Sequence, residues 1–211
     1  MAAADVKGIV FDLGGGVIDW NPMHLYRKVF DGDEITAANF LDTICTLEWN
    51  GRQDSGRDLM AATAELVSRH PEWAREIRAY YGRWIEMIGG PIPGTLEILQ
   101  ELKAAGLSLF ALSNWHCETF AKVRYAYPAF GLFEQIMLSG EYGLIKPDAR
   151  LYALALGHYG IAAEHLVFID DRLENVEGAR KAGMQGLVFT SADNLRADLI
   201  GLGVALRQGT P

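Results

Sequence analysis

Five polar side chains sit at or beside the ends of short apolar runs. Asp12 follows "GIVF", Ser113 follows "LSLFAL", Lys146 lies in "GLIKPD", and the pair Asp170-Asp171 follows "HLVFI". A lone carboxylate suits nucleophilic attack, a hydroxyl can donate to an oxyanion, a lysine offsets developing negative charge, and paired acids hold a cation. Together they form an inventory for phosphoryl transfer. Each residue alone has a structural explanation. A strand-end Asp caps a turn, Ser113-Asn114 before a helix reads as an N-cap, and Lys-Pro suits a solvated loop. Asp170-Asp171 is harder to explain that way, because adjacent acids repel unless a cation lies nearby. The conjunction carries the reading.

For these side chains to meet, the elements bearing them must share a rim. Short apolar runs predict strands at 7–12, 107–113, 134–140, 165–170 and 185–189. Single helices are expected between and after them, at 94–105, 116–126, 148–159, 173–182 and 192–201. Strict alternation implies a parallel sheet with right-handed crossovers, and such sheets bind ligands outside the carboxyl ends of their strands. Asp12, Ser113-Asn114 and Asp170-Asp171 all fall there. Between Pro22 and Gly89 the pattern is helical instead: "NPMHLYRKVF", "EITAANFLDTICTLEWN", "SGRDLMAATAELVSRH" and "HPEWAREIRAYYGRWIEMI". The stripe of Trp73, Ile77, Tyr80, Tyr81, Trp84 and Ile88 in the last of these reads as helix packing. The expected fold is therefore an α/β, Rossmann-like doubly wound core, residues 1–19 and 90–211, with an all-helical unit, residues 20–89, inserted after the first strand.

Composition narrows the class. Of 211 residues half are apolar, and the net charge is −8, from 19 basic and 27 acidic side chains. A sequence-independent grip on nucleic acid or an anionic membrane is not expected. Two cysteines, Cys45 and Cys117, have no metal-ligand spacing, so a reducing, cytoplasmic setting is the default. "MAAADVKG" lacks the apolar stretch of a signal peptide.

In order and spacing, "VFDLGGGVIDW", "LSNW", "KPD" and "FIDDRLENVEGARKAGM" resemble the four motifs of the haloacid dehalogenase-like hydrolase superfamily. The similarity spans about Lys7 to Phe189, and the helical insertion resembles the helical cap of that superfamily. Within it, "FDLG" followed by "WNP" and "IDD" is most similar to small sugar-phosphate phosphatases of the glucose-1-phosphate phosphatase kind. The resemblance implies a small phosphorylated metabolite as substrate, with Asp12 attacking phosphorus to give an aspartyl-phosphate that water hydrolyses. It implies magnesium on the Asp12 carboxylate, the Gly14 carbonyl and Asp171, with Asp170 bonding a metal-bound water. Ser113 and the backbone N–H groups near Leu13 and Asn114 would bind phosphoryl oxygens, and Lys146 would neutralise charge. The glycines after Asp12 would let backbone amides approach the phosphate.

One position departs from the pattern. Most members carry a second Asp two residues after the nucleophile, to protonate the leaving group and activate water; here that residue is Gly14. General acid–base help is worth about 10²–10⁴ in rate. Three readings stay open: a phosphatase with an easy leaving group or an acid from elsewhere (His116, Asp19 or His24), a metal-free 2-haloacid dehalogenase, or a silent phospho-ligand-binding protein. The Asp170-Asp171 pair argues against the dehalogenase. In the helical unit, "LEWNGRQDSGR" offers Trp49, Asn50, Arg52, Gln53 and Asp54 for substrate contacts, and Arg52 and Arg57 for a second anionic group. Trp49 is expected to bind substrate, Cys117 to be a bystander, and the protein to be a monomer or homodimer.

Overall fold

Strand formation follows the apolar runs. In the computed structural model, which describes residues 5–207, β1 (Gly8–Phe11) is buried at every residue, as a parallel strand covered on both faces must be. After a glycine turn come β2 (Ile18–Trp20), α1 (Met23–Val29), α2 (Glu34–Thr43), α3 (Leu47–Asp54), α4 (Leu59–Arg69), α5 (Ala74–Gly82) and β3 (Ile88–Pro91). Helices and strands then alternate. They are α6 (Thr95–Ala104), β4 (Ser108–Ser113), α7 (Cys117–Val123), β5 (Gln135–Leu138) and the single turn α8 (Ser139–Tyr142). The chain continues through α9 (Ala149–Tyr159), β6 (Leu166–Asp170), α10 (Leu173–Lys181), β7 (Gln185–Val188) and α11 (Ala192–Gly201).

Five strands form one parallel sheet in the order β5-β4-β1-β6-β7. Period-two alternation divides its side chains between two cores. Ile9, Phe11, Leu109, Ala111, Val167 and Ile169 face the layer of α6, α7 and α11. Val10, Phe110, Leu112, Leu166 and Phe168 face α9 and α10. This is the expected Rossmann-like, doubly wound architecture. Because β1 is flanked by β4 on one side and β6 on the other, its carboxyl end is the topological switch point where such sheets open a crevice.

The helical segment differs in detail from its expected form. The pattern over 34–50 splits into two helices, because the Thr46 hydroxyl accepts the Trp49 N–H and starts α3 afresh. Asp33 and Asp58 cap α2 and α4 in the same way. The pattern over 70–88 breaks into short 3-10 turns around α5 and ends in β3. Ile77, Tyr80, Tyr81 and Trp84 are buried, so the aromatic stripe is packing. β2 and β3 pair antiparallel, with Ile18 opposite Pro91, so both passages between helices and sheet run through one small ribbon. Strands this short, one containing Gly89-Gly90, carry too little periodicity to be legible in sequence. No helix among the described residues is long and apolar enough to cross a membrane.

Candidate active site

The site is built where β1, β4 and β6 end together. Phe11 is in register with both Ala111 and Ile169, which brings Asp12 beside the ends of its neighbours. Its backbone N–H extends the ladder to the Ile169 carbonyl at 2.8 Å. The Leu13 carbonyl then accepts from the N–H groups of Val17 and Ile18, at 3.0 and 2.9 Å, folding the glycine turn back against the strand. Gly15 has a φ of +83°, and a Cβ there would lie 2.6 Å from the Asp171 Oδ2. Glycine at 15 is thus required twice, by a left-handed backbone and by the carboxylate it touches.

Lys146 is the hub. Its buried ammonium donates to Asp12 Oδ1 at 2.8 Å, Asp170 Oδ2 at 2.7 Å and the Leu112 carbonyl at 2.8 Å, which uses all three of its protons. Asn114 fixes the loop that carries it: its amide donates to the Lys146 carbonyl at 3.1 Å, and its Oδ1 accepts the Lys146 N–H at 2.7 Å. The Asn114 side chain is therefore committed to positioning the lysine. Asp170 is fully buried and saturated, accepting from Lys146, from the Arg172 N–H and, at both oxygens, from the Asn175 amide. Asp171 remains accessible at the rim.

One oxygen from each of Asp12, Asp170 and Asp171 lies within 4.8 Å of the others. Three carboxylates against one ammonium leave a formal charge of −2. Burial lifts the Asp12 carboxyl above the ordinary carboxylate range; Lys146 opposes this while Asp170 and Asp171 add to it. Asp171 is raised as well, by partial burial and then by Asp170. Desolvation alone would lower the Lys146 pKa, but the charges of Asp12 and Asp170 outweigh it and hold the ammonium charged. The site is short of positive charge by the amount a divalent cation carries.

A cavity of about 760 Å³ opens over this cluster. Asp12, Gly14, Ser113, Asn114, Lys146 and Asp171 line it from the sheet, and Asn50, Arg52 and Asp54 line it from α3. Several expected residues lie elsewhere. Trp49 packs inward, its ring 5.1 Å from Tyr80 and 5.4 Å from Tyr81, because on α3 it faces the aromatic core of the helical segment. The Leu13 side chain is buried, leaving its backbone as the part near Asp12. Arg57 pairs with Glu65 outside the lining, and Asp19 pairs with His24 at 2.8 Å on the ribbon. Cys117 is outside the lining too, with its thiol pKa raised by burial.

Two residues that hold the site escaped the sequence reading. Asn175 follows Asp170 by five residues on α10, a spacing that would have placed it against a strand-end acid. Ser139, fully buried, accepts the Trp115 N–H at 2.9 Å and donates to the Asp54 carbonyl at 2.6 Å. That contact joins residues far apart in the chain, and no local pattern announces it.

A strand-end carboxylate beside a buried lysine, at the switch point of a doubly wound sheet, is a site arrangement of α/β enzymes. A sequence model of the haloacid dehalogenase-like hydrolases matches residues 6–183, and the chain belongs to that family. A sesquiterpene phosphatase of Aspergillus oryzae is 26% identical over 200 residues, covering 88% of this chain and 91% of its own. A phosphoglycolate phosphatase of Caulobacter vibrioides is 26% identical over 207 residues, covering 93% and 87%. Among solved structures, a HAD family enzyme of Bacteroides thetaiotaomicron in complex with magnesium and inorganic phosphate superposes with a TM-score of 0.66. It shares 21% identity and covers 88% of this chain and 95% of its own.

Proposed function

We propose that this protein is a magnesium-dependent phosphomonoester hydrolase, acting on a small phosphorylated metabolite through an aspartyl-phosphate on Asp12. The observation that carries the reading is the convergence of Asp12, Asp170 and Asp171 around one fully engaged lysine. That the two relatives described above are phosphatases supports it.

The donor set fits a small, hard divalent cation: it is all oxygen and carries two surplus negative charges. Asp12, the Gly14 carbonyl and Asp171 would hold the ion directly. Asp170, whose oxygens are already taken by Lys146, Asn175 and the Arg172 N–H, would act through a shared water. Bound there, the ion would offset repulsion between the Asp12 carboxylate and the substrate phosphate.

The remaining steps belong to the chain. Lys146 holds Asp12 in place for in-line attack and neutralises charge on the phosphoryl oxygens. Ser113 and the backbone amides beside Asp12 and Ser113 take the other oxygens. The Asp12 oxygen forms a bond to phosphorus as the ester oxygen leaves. Water then breaks that bond, releasing phosphate and restoring the carboxylate. Residues 20–89 act as a cap that shields the site from bulk water and selects the substrate. Asn50 and Arg52 at the cavity wall suit sugar hydroxyls, and a sugar phosphate is the favoured substrate.

The test is inorganic phosphate release from sugar phosphates and 4-nitrophenyl phosphate, with magnesium and with a chelator, and with Asp12→Asn as blank. Release that requires both the metal and Asp12 is expected. Chloride release from 2-chloropropionate without metal would replace this reading by the dehalogenase; no release of either kind would favour a silent binding protein. The surplus negative charge argues against both a carboxylate substrate and metal-free chemistry.

A further inference from the structure

Phosphate-ester cleavage by Asp12 leaves an unanswered chemical requirement, a proton for the departing oxygen. Gly14 cannot supply it. A Cβ there would meet nothing nearer than the Trp20 Cβ at 3.9 Å, so the turn has room for a side chain that the sequence does not provide. The other candidates fail on geometry. Both ring nitrogens of His116 are engaged, Nδ1 with the Glu118 N–H at 3.2 Å and Nε2 with the Arg57 carbonyl at 3.1 Å. Asp19 and His24 are bonded to each other away from the cavity. Glu48 and Glu174 line the cavity, but their carboxylates are engaged in ion pairs with Arg52 and Arg172.

Asp54, the last residue of α3, lines the same cavity as Asp12, Ser113 and Lys146. Its Oδ2 accepts the Asn50 amide at 2.7 Å, and the buried Asn50 is oriented in turn by the Tyr81 hydroxyl at 3.0 Å. The chain around it is fastened to the sheet rim at successive points. The Asp54 carbonyl accepts the Ser139 hydroxyl at 2.6 Å, and the Arg57 carbonyl meets the His116 ring. Between them Gly56, at a φ of +94°, lies so close to Gly140 that a Cβ would come within 2.6 Å of the Gly140 carbonyl. The helical segment thus presents one carboxyl to the nucleophile's cavity in a fixed place.

We propose that Asp54 is the general acid and base of this hydrolase, supplied from the helical segment in place of the side chain that Gly14 lacks. The assignment rests on the phosphatase reading above. Burial raises the Asp54 carboxyl to about 8; the His116 N–H opposes this, the Asp12 charge adds to it, and the Asn50 amide opposes it. Besides these, Tyr80 and Tyr81 of α5 face it, and Lys146, Asp171 and the Glu48–Arg52 pair share the cavity. It is therefore protonated at neutral pH. In the first half-reaction the Asp54 proton passes to the ester oxygen as the phosphorus–oxygen bond breaks and the Asp12–phosphorus bond forms. In the second, the Asp54 carboxylate takes a proton from water as that water's oxygen bonds to phosphorus and the Asp12 oxygen leaves. The cycle ends with phosphate released, Asp12 ionised and Asp54 protonated.

The experiment compares Asp54→Asn and Asp54→Ser with the unaltered enzyme on an alkyl phosphate and on 4-nitrophenyl phosphate, whose leaving group needs no proton. Alkyl phosphate turnover is expected to fall about 10²–10⁴-fold. With 4-nitrophenyl phosphate, rapid mixing is expected to show a burst of about one nitrophenolate per enzyme, followed by slow turnover. The phosphorylated intermediate then accumulates for want of a base. Equal losses on both substrates without a burst, or unaltered alkyl phosphate turnover, would overturn the assignment. Unfolding of both variants would show a structural role and overturn it as well. Phosphate release from neither substrate by the unaltered enzyme would instead refute the phosphatase reading on which it rests.

Discussion

Lys146 shows how much can depend on one side chain. Its three donors are spent on two carboxylates and a carbonyl, and removing one member of a buried charge cluster leaves the others uncompensated. Lys146→Met should destabilise the protein by about 3–5 kcal/mol, measured by urea unfolding, and abolish turnover. The deficit should depend on pH in a definite sense. The variant frees Asp12 from the charge that opposed its burial, so the native-state pKa of Asp12 rises further above its unfolded value. A raised carboxyl pKa favours the native state below the unfolded pKa and is lost as pH rises. The gap between variant and parent should therefore stay level through the acid range and widen as pH rises past about 7, where Asp12 ionises in the parent and stays protonated in the variant. At this scale much of the site was legible. Asp12, Ser113, Lys146 and Asp170-Asp171 stand out because each interrupts or follows an apolar run. Trp49 did not yield to the same reasoning: an aromatic residue among polar neighbours reads as a substrate contact until the packing of Tyr80 and Tyr81 against it is seen. Asp54 was visible only as a polar residue, since its burial depends on Ser139 and His116 across the fold.

Among the elements, the strands and the helices after β3 follow the sequence reading to within a few residues, because each apolar run is flanked by glycine or capping residues. The ribbon of β2 and β3 and the division between α2 and α3 were missed. The former is too short for a period, and the latter turns on one hydroxyl, that of Thr46. The junction between α3 and α8 is where an element-level substitution should be most informative. Gly56→Ala would place a methyl group at a positive φ and against the Gly140 carbonyl, costing roughly 1–3 kcal/mol in backbone strain alone. The strain should be relieved by shifting the segment that follows α3. The expected outcome is a lowered melting temperature together with a loss of alkyl phosphate turnover larger than the loss with 4-nitrophenyl phosphate. A uniform loss on both would show that the junction does not position Asp54.

For the molecule as a whole, the carboxylate cluster predicts linkage between metal and stability. An ion that binds only the native state at a hundred times its Kd adds about 2.7 kcal/mol, so magnesium should raise the melting temperature by several degrees and a chelator should reverse it. Asp171→Asn should reduce that increment, because Asp171 is the member of the acid pair with no buried partner bonds, while leaving the chelated protein folded. A melting temperature indifferent to magnesium in the parent would count against the metal assignment.

The fastening of residues 54–57 to the sheet rim separates what each half of the molecule owns. On the proposed mechanism the sheet holds the carboxylate that attacks, and the helical segment holds the proton that lets the reaction proceed. Efficient cleavage of an alkyl phosphate needs both, so seating the segment on the rim works as an interlock. A phosphate ester whose bulk holds the two halves apart can reach Asp12 and still not be cleaved efficiently. Such a molecule is refused after it has bound. Against esters of this kind, discrimination belongs to turnover rather than to affinity.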